Sequence, residues 1–100
     1  MFSIRQTPEF AKWFHTLRDA RAFARIDARI RRAAEGHFGD VKTVGEGVSE
    51  MRIDFGPGYR VYCVRRGDEI VILLCGGDKS SQARDIKRAW KIAANLEDQT

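Results

Sequence analysis

Cysteine and proline each occur only twice in the 100 residues, and no stretch nears the ~18 consecutive apolar residues that a membrane helix requires. So few cysteines exclude a disulfide framework. Cys63 and Cys75, each inside an apolar run, read as reduced thiols of a core or sheet. Scarce proline, with no low-complexity tract and no internal repeat, excludes the disordered, collagenous and coiled-coil classes. Histidine is equally rare. His15 and His37 have no acid or second histidine at ligand spacing, so neither a metal nor any other cofactor is expected. A Walker loop, GxxxxGK[ST], is absent. The opening MFSIRQTPEF lacks the basic start and long apolar run of an export signal, so a cytoplasmic location with no membrane partner is expected.

What is present suits one small core. With 43% hydrophobic and 32% charged residues, residues 1–100 are expected to form a single domain. Eighteen Lys and Arg against fourteen Asp and Glu leave a net charge of +4, and the pI near 9.4 fits a polyanionic partner.

Alternation in residues 2–6 predicts a short strand. Thr7-Pro8-Glu9 is a helix-start signature of cap, harmless proline and acid, and Phe10, Trp13, Phe14 and Leu17 then fall on one helical face. A second helix is expected over residues 21–35, with Phe23, Ile26, Ile30 and Ala33 inward, Gly36 at its end, and Arg25, Arg29, Arg31 and Arg32 on its solvated faces. Glycines 36, 39, 45 and 47 mark irregular chain around an extended Val41–Val44. Strands at Ser49–Phe55, Tyr59–Arg66 and Glu69–Cys75 follow, joined by the turns Gly56-Pro57-Gly58 and Gly67-Asp68. The last helix starts near Ser81, with Ile86, Ala89, Trp90 and Ala93 inward, and leads to a polar tail at Glu97–Thr100.

The simplest registers set Phe55 opposite Tyr59 and Arg66 opposite Glu69. One face of the sheet then collects Met51, Ile53, Phe55, Tyr59, Val61, Cys63, Ile70, Ile72 and Leu74 and should carry the helices. The other collects Glu50, Arg52, Asp54, Arg60, Tyr62, Val64, Val71, Leu73 and Cys75, with Arg52 across from Tyr62 and Asp54 across from Arg60. Asp54 with Arg60 has a purely structural reading, a cross-strand ion pair contributing about 0.2–1 kcal/mol. In the functional reading, guanidiniums on a rigid sheet grip a phosphate while Tyr62 meets a nucleotide, and Arg66 and Lys42 add RNA contacts. Gly76-Gly77-Asp78-Lys79-Ser80-Ser81 then brings Lys79 and free N–H groups toward the sheet, though Asp78 or a serine also serves as a plain helix cap.

The element order, with the strings SEMRIDFGPGYRVYCV and LLCGGDKSSQARDIKRA, resembles the RelE/ParE superfamily of toxin–antitoxin toxins, in particular the addiction-module killer proteins of the HigB-like branch. The resemblance covers residues 2–96 and implies an α+β domain, β-α-α-β-β-β-α, in which a strand and two helices pack on an antiparallel sheet. It implies a growth-arresting toxin that enters the ribosome and cuts mRNA, inhibiting translation, and that a cognate antitoxin neutralises. That antitoxin is expected to be a helix-turn-helix protein encoded by the adjacent gene, covering the basic sheet face or the surrounding helices, with a salt-sensitive interface if acidic residues meet Arg25, Arg29 or Arg32. Arg60 matches the family arginine that follows the turn on the middle strand, Lys79 a basic residue after the final strand, and Arg52 a basic position on the preceding strand.

The implied chemistry is attack of a ribose 2′-OH on the adjacent phosphate, with Arg52 and Arg60 neutralising the phosphorane and Lys79 or Glu50 as base. Nuclease relatives carry a terminal histidine or tyrosine as acid, whereas KIAANLEDQT has neither. This departure keeps two alternatives open: a ParE-like gyrase-inhibiting toxin that cuts no RNA, and an inactive antitoxin-binding relative.

Overall fold

Thr7 sets the entry into the first helix. Its buried hydroxyl accepts from the Phe10 N–H (3.0 Å) and donates to the Leu74 carbonyl (2.6 Å), so one side chain caps α1 (Pro8–His15) and ties it to the sheet. Asp19 caps α2 (Ala20–Ala34) by accepting from the Arg21 and Ala22 N–H groups. This computed structural model describes residues 1–98. Its other elements are β1 (Ser3–Gln6), β2 (Val41–Thr43), β3 (Val48–Ile53), β4 (Tyr59–Arg66), β5 (Ile70–Gly77), a 3-10 turn (Lys79–Ser81) and α3 (Gln82–Asp98).

The fold is α+β with a five-stranded sheet in the order β1-β5-β4-β3-β2. All neighbours are antiparallel except β1 beside β5. The extended Val41–Val44 segment becomes the edge strand β2, which pairs Lys42 with Glu50. Helices cover both faces, where the sequence placed them on one. Phe10 and Phe14 of α1 and Ile26, Ile30 and Ala33 of α2 pack on Met51, Ile53, Val61, Cys63, Val71 and Leu73. Ala89, Ile92 and Ala93 of α3 pack on Val48, Tyr62, Leu74 and Cys75.

Two register differences accompany the change. The β3–β4 hairpin pairs Ile53 with Tyr59, two residues short of the expected Phe55–Tyr59 pairing, so each side chain keeps its face. Arg52 therefore lies opposite Arg60, and Glu50 opposite Tyr62. At the next turn Arg66 pairs with Ile70 instead of Glu69, a one-residue slip that exchanges the faces of β5. Val71 and Leu73 enter the α1/α2 core, while Ile72 and Leu74 face α3. A bulge between Tyr62 and Cys63, with Leu74 as the extra residue, then resets the pairing to Tyr62–Cys75. Of the polar tail expected at Glu97–Thr100, Glu97 and Asp98 belong to α3, and Gln99 and Thr100 lie outside the described residues. Among the described residues no helix is long and apolar enough to cross a membrane.

Candidate functional site

At the end of the sheet where β3 leaves and β4 begins, Arg52, Arg60 and Lys79 line one open depression of about 420 Å³, together with Asp40, Asp54 and Gly58. Arg52 and Arg60 are directly opposed cross-strand neighbours. Like charges so placed repel, at a cost on the order of 0.2–1 kcal/mol in a sheet. Each arginine has its own carboxylate. Asp40 Oδ1 accepts from Arg52 Nη2 at 3.0 Å, while Glu50 Oε2 lies 3.8 Å from Arg60 Nε, close enough for an ion pair and too far for a hydrogen bond. The Nε atoms of both arginines are buried without a hydrogen-bond partner. Two guanidiniums held side by side at an open mouth suit an anion.

The turn before β4 makes the convergence possible. Gly58 adopts φ +79°, and a β-carbon there would meet Arg60 Nη1 at 3.3 Å and Lys79 Cβ at 3.4 Å. Its carbonyl accepts from Arg60 Nη1 (2.8 Å), and the Pro57 carbonyl accepts from the Lys79 N–H (3.4 Å), so the loop after β5 is fastened to this turn. Asp78 caps the 3-10 turn that presents Lys79. Hydrogen bonding from the Ser80 hydroxyl, first among the causes, holds the Asp78 carboxyl below its usual range.

Gly76 and Gly77 belong to β5 and do not cradle an anion. A β-carbon on Gly76 would strike the Trp13 ring at 2.3 Å, and one on Gly77 would strike Asp85 Oδ2 at 1.8 Å. The pair is glycine because α1 and α3 press on it from opposite faces.

Glu50 and Tyr62 lie beneath α3, both 0% exposed. The Tyr62 hydroxyl donates to Glu50 Oε2 (3.0 Å), and Gln82 Nε2 donates to the same carboxylate at 3.0 and 3.3 Å. Burial, and then the neighbouring Glu50 charge, push the Tyr62 phenol well above its ordinary value. The expected base and the expected nucleotide-stacking tyrosine are thus sealed from solvent, and Glu50 instead backs Arg60. The purely structural Asp54–Arg60 ion pair gives way to Glu50 as the carboxylate beside Arg60. Arg66, at the far end of β4, lines other grooves, and Lys42 is exposed on β2 outside the lining of the depression.

Arg29, read as part of a solvated arginine face, is a brace. Its guanidinium donates to the carbonyls of Arg52 (2.6 Å), Phe38 (2.9 Å) and Asp40 (3.1 Å), and desolvation lowers its pKa. It fixes the segment that carries Asp40, a residue the sequence reading missed. The missed cue was the Gly45-Glu46-Gly47 turn, whose hairpin brings Asp40 beside Arg52, where the Arg52 N–H donates to the Asp40 carbonyl at 2.9 Å. Cys63 and Cys75 are free and buried, their thiols pushed up to about 12 by desolvation. Among the described residues no cluster of three or more His, Cys, Asp or Glu could hold a metal ion.

Residues 12–96 match the family described as Phage derived protein Gp49-like (DUF891). The chain belongs to the Gp49-like family. This is a toxin-type family of RelE-like, addiction-module killer proteins. A Haemophilus influenzae relative described as an uncharacterized protein is 50% identical over 93 residues, covering 93% of this chain and 94% of its own. Membership extends over both arginine strands, the Lys79 turn and most of α3 of this Gp49-like chain, so the whole depression lies inside the matched region.

Proposed function

We propose that this Gp49-like protein is the toxin of a toxin–antitoxin pair and arrests translation by cutting mRNA on the ribosome, in the manner of the HigB-like branch. The observation that carries the reading is the convergence of Arg52, Arg60 and Lys79 on one open depression. In the reaction a ribose 2′-oxygen attacks its own 3′-phosphate. Negative charge builds on the phosphorane, and the 5′-oxygen departs to leave a 2′,3′-cyclic phosphate and a 5′-hydroxyl. Arg52 and Arg60, with donors fixed before substrate arrives, neutralise that charge, and Lys79 adds a third cation. The net charge of +4 supports an RNA-bearing target. Its partner in the resting cell is a helix-turn-helix antitoxin, encoded next to it, that covers this face or the arginines of α2, Arg25 and Arg32.

A second reading has one observation in its favour: no histidine or tyrosine lines the depression. On that reading the toxin binds gyrase, or only its antitoxin, and cuts nothing. Tightly controlled expression followed by mapping of transcript 5′ ends separates the readings. Codon-positioned cuts that vanish with Arg60→Ala, at a cost of about 10²–10³ in rate, support the nuclease. Intact messages with induced DNA damage replace it with the gyrase reading, and intact messages without damage leave the antitoxin-binding module. Arg60→Lys, which retains a charge beside Glu50, is the folding control.

A further inference from the structure

We infer that Asp40 is the general base of this site, taking the 2′-OH proton; the inference rests on the nuclease reading above. RNA cleavage by an internal 2′-hydroxyl needs a proton acceptor within hydrogen-bond reach of the attacking oxygen. Four groups in or behind the depression compete for that role. Glu50 is 0% exposed and already accepts from Tyr62 and Gln82. Lys79 is the third cation on the phosphorane in the reading above. Asp54 lines the depression but forms no side-chain hydrogen bond among the described residues. Asp40 is the carboxylate that is open to solvent and held in place.

Three hydrogen bonds hold it. Its carbonyl accepts from the Arg52 N–H (2.9 Å) and Arg29 Nη2 (3.1 Å), and its carboxylate accepts from Arg52 Nη2 (3.0 Å). The guanidinium it touches is one of the two that would grip the phosphate, and a 2′-oxygen is separated from its own 3′-phosphate by only two ribose carbons. A phosphate on Arg52 therefore brings the 2′-OH to the neighbouring carboxylate. Asp40 is no plug that shuts the site, because its side chain is 59% exposed and exposed ion pairs are worth only about 0–1 kcal/mol.

The 2′-OH proton passes to the Asp40 carboxylate as the 2′-oxygen bonds to phosphorus; the bond from phosphorus to the 5′-oxygen breaks; that oxygen takes a proton from water, and Asp40 returns its own to solvent.

The test is single-turnover cleavage of a labelled message on purified ribosomes, with binding measured separately on ribosomes carrying the same message with 2′-deoxy substitution. Asp40→Asn should lower the cleavage rate about 10²–10⁴-fold while binding of the deoxy message complex stays within about threefold. Asp40→Glu should recover part of the rate. An Asp40→Asn protein that cleaves within threefold of wild type, or faster, overturns the assignment and leaves the nuclease reading intact. Loss of cleavage and binding together also overturns it, making Asp40 a positioning residue for Arg52. A wild-type protein that cuts no message overturns both readings. Only an exposed side chain changes, so an unaltered unfolding midpoint is the control for folding.

Discussion

Among single residues, Gly77 shows how tightly the site is backed. Asp85 Oδ2 occupies the space of the missing β-carbon, and Asp85 is itself buried and accepts from the Ser81 hydroxyl. Gly77→Ala should therefore destabilise the protein by about 1–3 kcal/mol, the usual range for an overpacked core. The denaturant midpoint measures this, and an unchanged midpoint would mean that α3 does not sit as described. The sequence made these glycines look like an anion cradle, because nothing along the chain shows that Trp13 and Asp85, distant in sequence, approach them from both faces. The shared face of Arg52 and Arg60 was legible because parity along a strand survives a two-residue register shift. Asp40 was not, since it meets Arg52 only once the β2–β3 pairing is known.

Elements were legible where punctuation was strong. Thr7-Pro8 opens α1 and Tyr59–Arg66 spans β4 as the sequence predicts. The faces of β5 were not, because the Gly67-Asp68 turn alone does not fix whether Arg66 meets Glu69 or Ile70, and an unbroken apolar run such as Ile70–Cys75 has no alternation to decide between the two registers. The same element brings Lys79 to the depression through the 3-10 turn that Asp78 caps. Asp78→Ala should cost about 1 kcal/mol at neutral pH, as N-cap losses do. The Asp78 carboxyl is depressed in the folded state, so its contribution is complete above the unfolded value of about 3.9 and fades as pH falls through the lower folded value. Unfolding midpoints of wild type and variant should converge in that acid window. A gap that persists there would show that the ionised carboxylate is not the stabilising form.

Over the whole molecule, charge works through placement more than through its sum. A net charge of +4 is modest, yet three cations share one depression and α2 adds a separate exposed arginine face, braced to the site through Arg29. Association with programmed ribosomes should weaken steeply between 50 and 200 mM salt, as counterion release requires. Arg60→Ala should make the salt slope shallower by about 1, as expected for one lost phosphate contact. A salt-independent affinity would exclude a phosphate-bearing target.

The sheet closes by joining the two ends of the chain: β1 lies against β5, and Thr7 bonds across 67 residues to Leu74. A polypeptide emerging during synthesis therefore carries both arginines well before it has the lysine, the partner strand for its own beginning, or the helix that covers Glu50. Such non-local closure is slow relative to helix formation. A product interrupted before residue 79 lacks the third cation and the cover over Glu50, so the complete depression exists only in chains extended past the 3-10 turn.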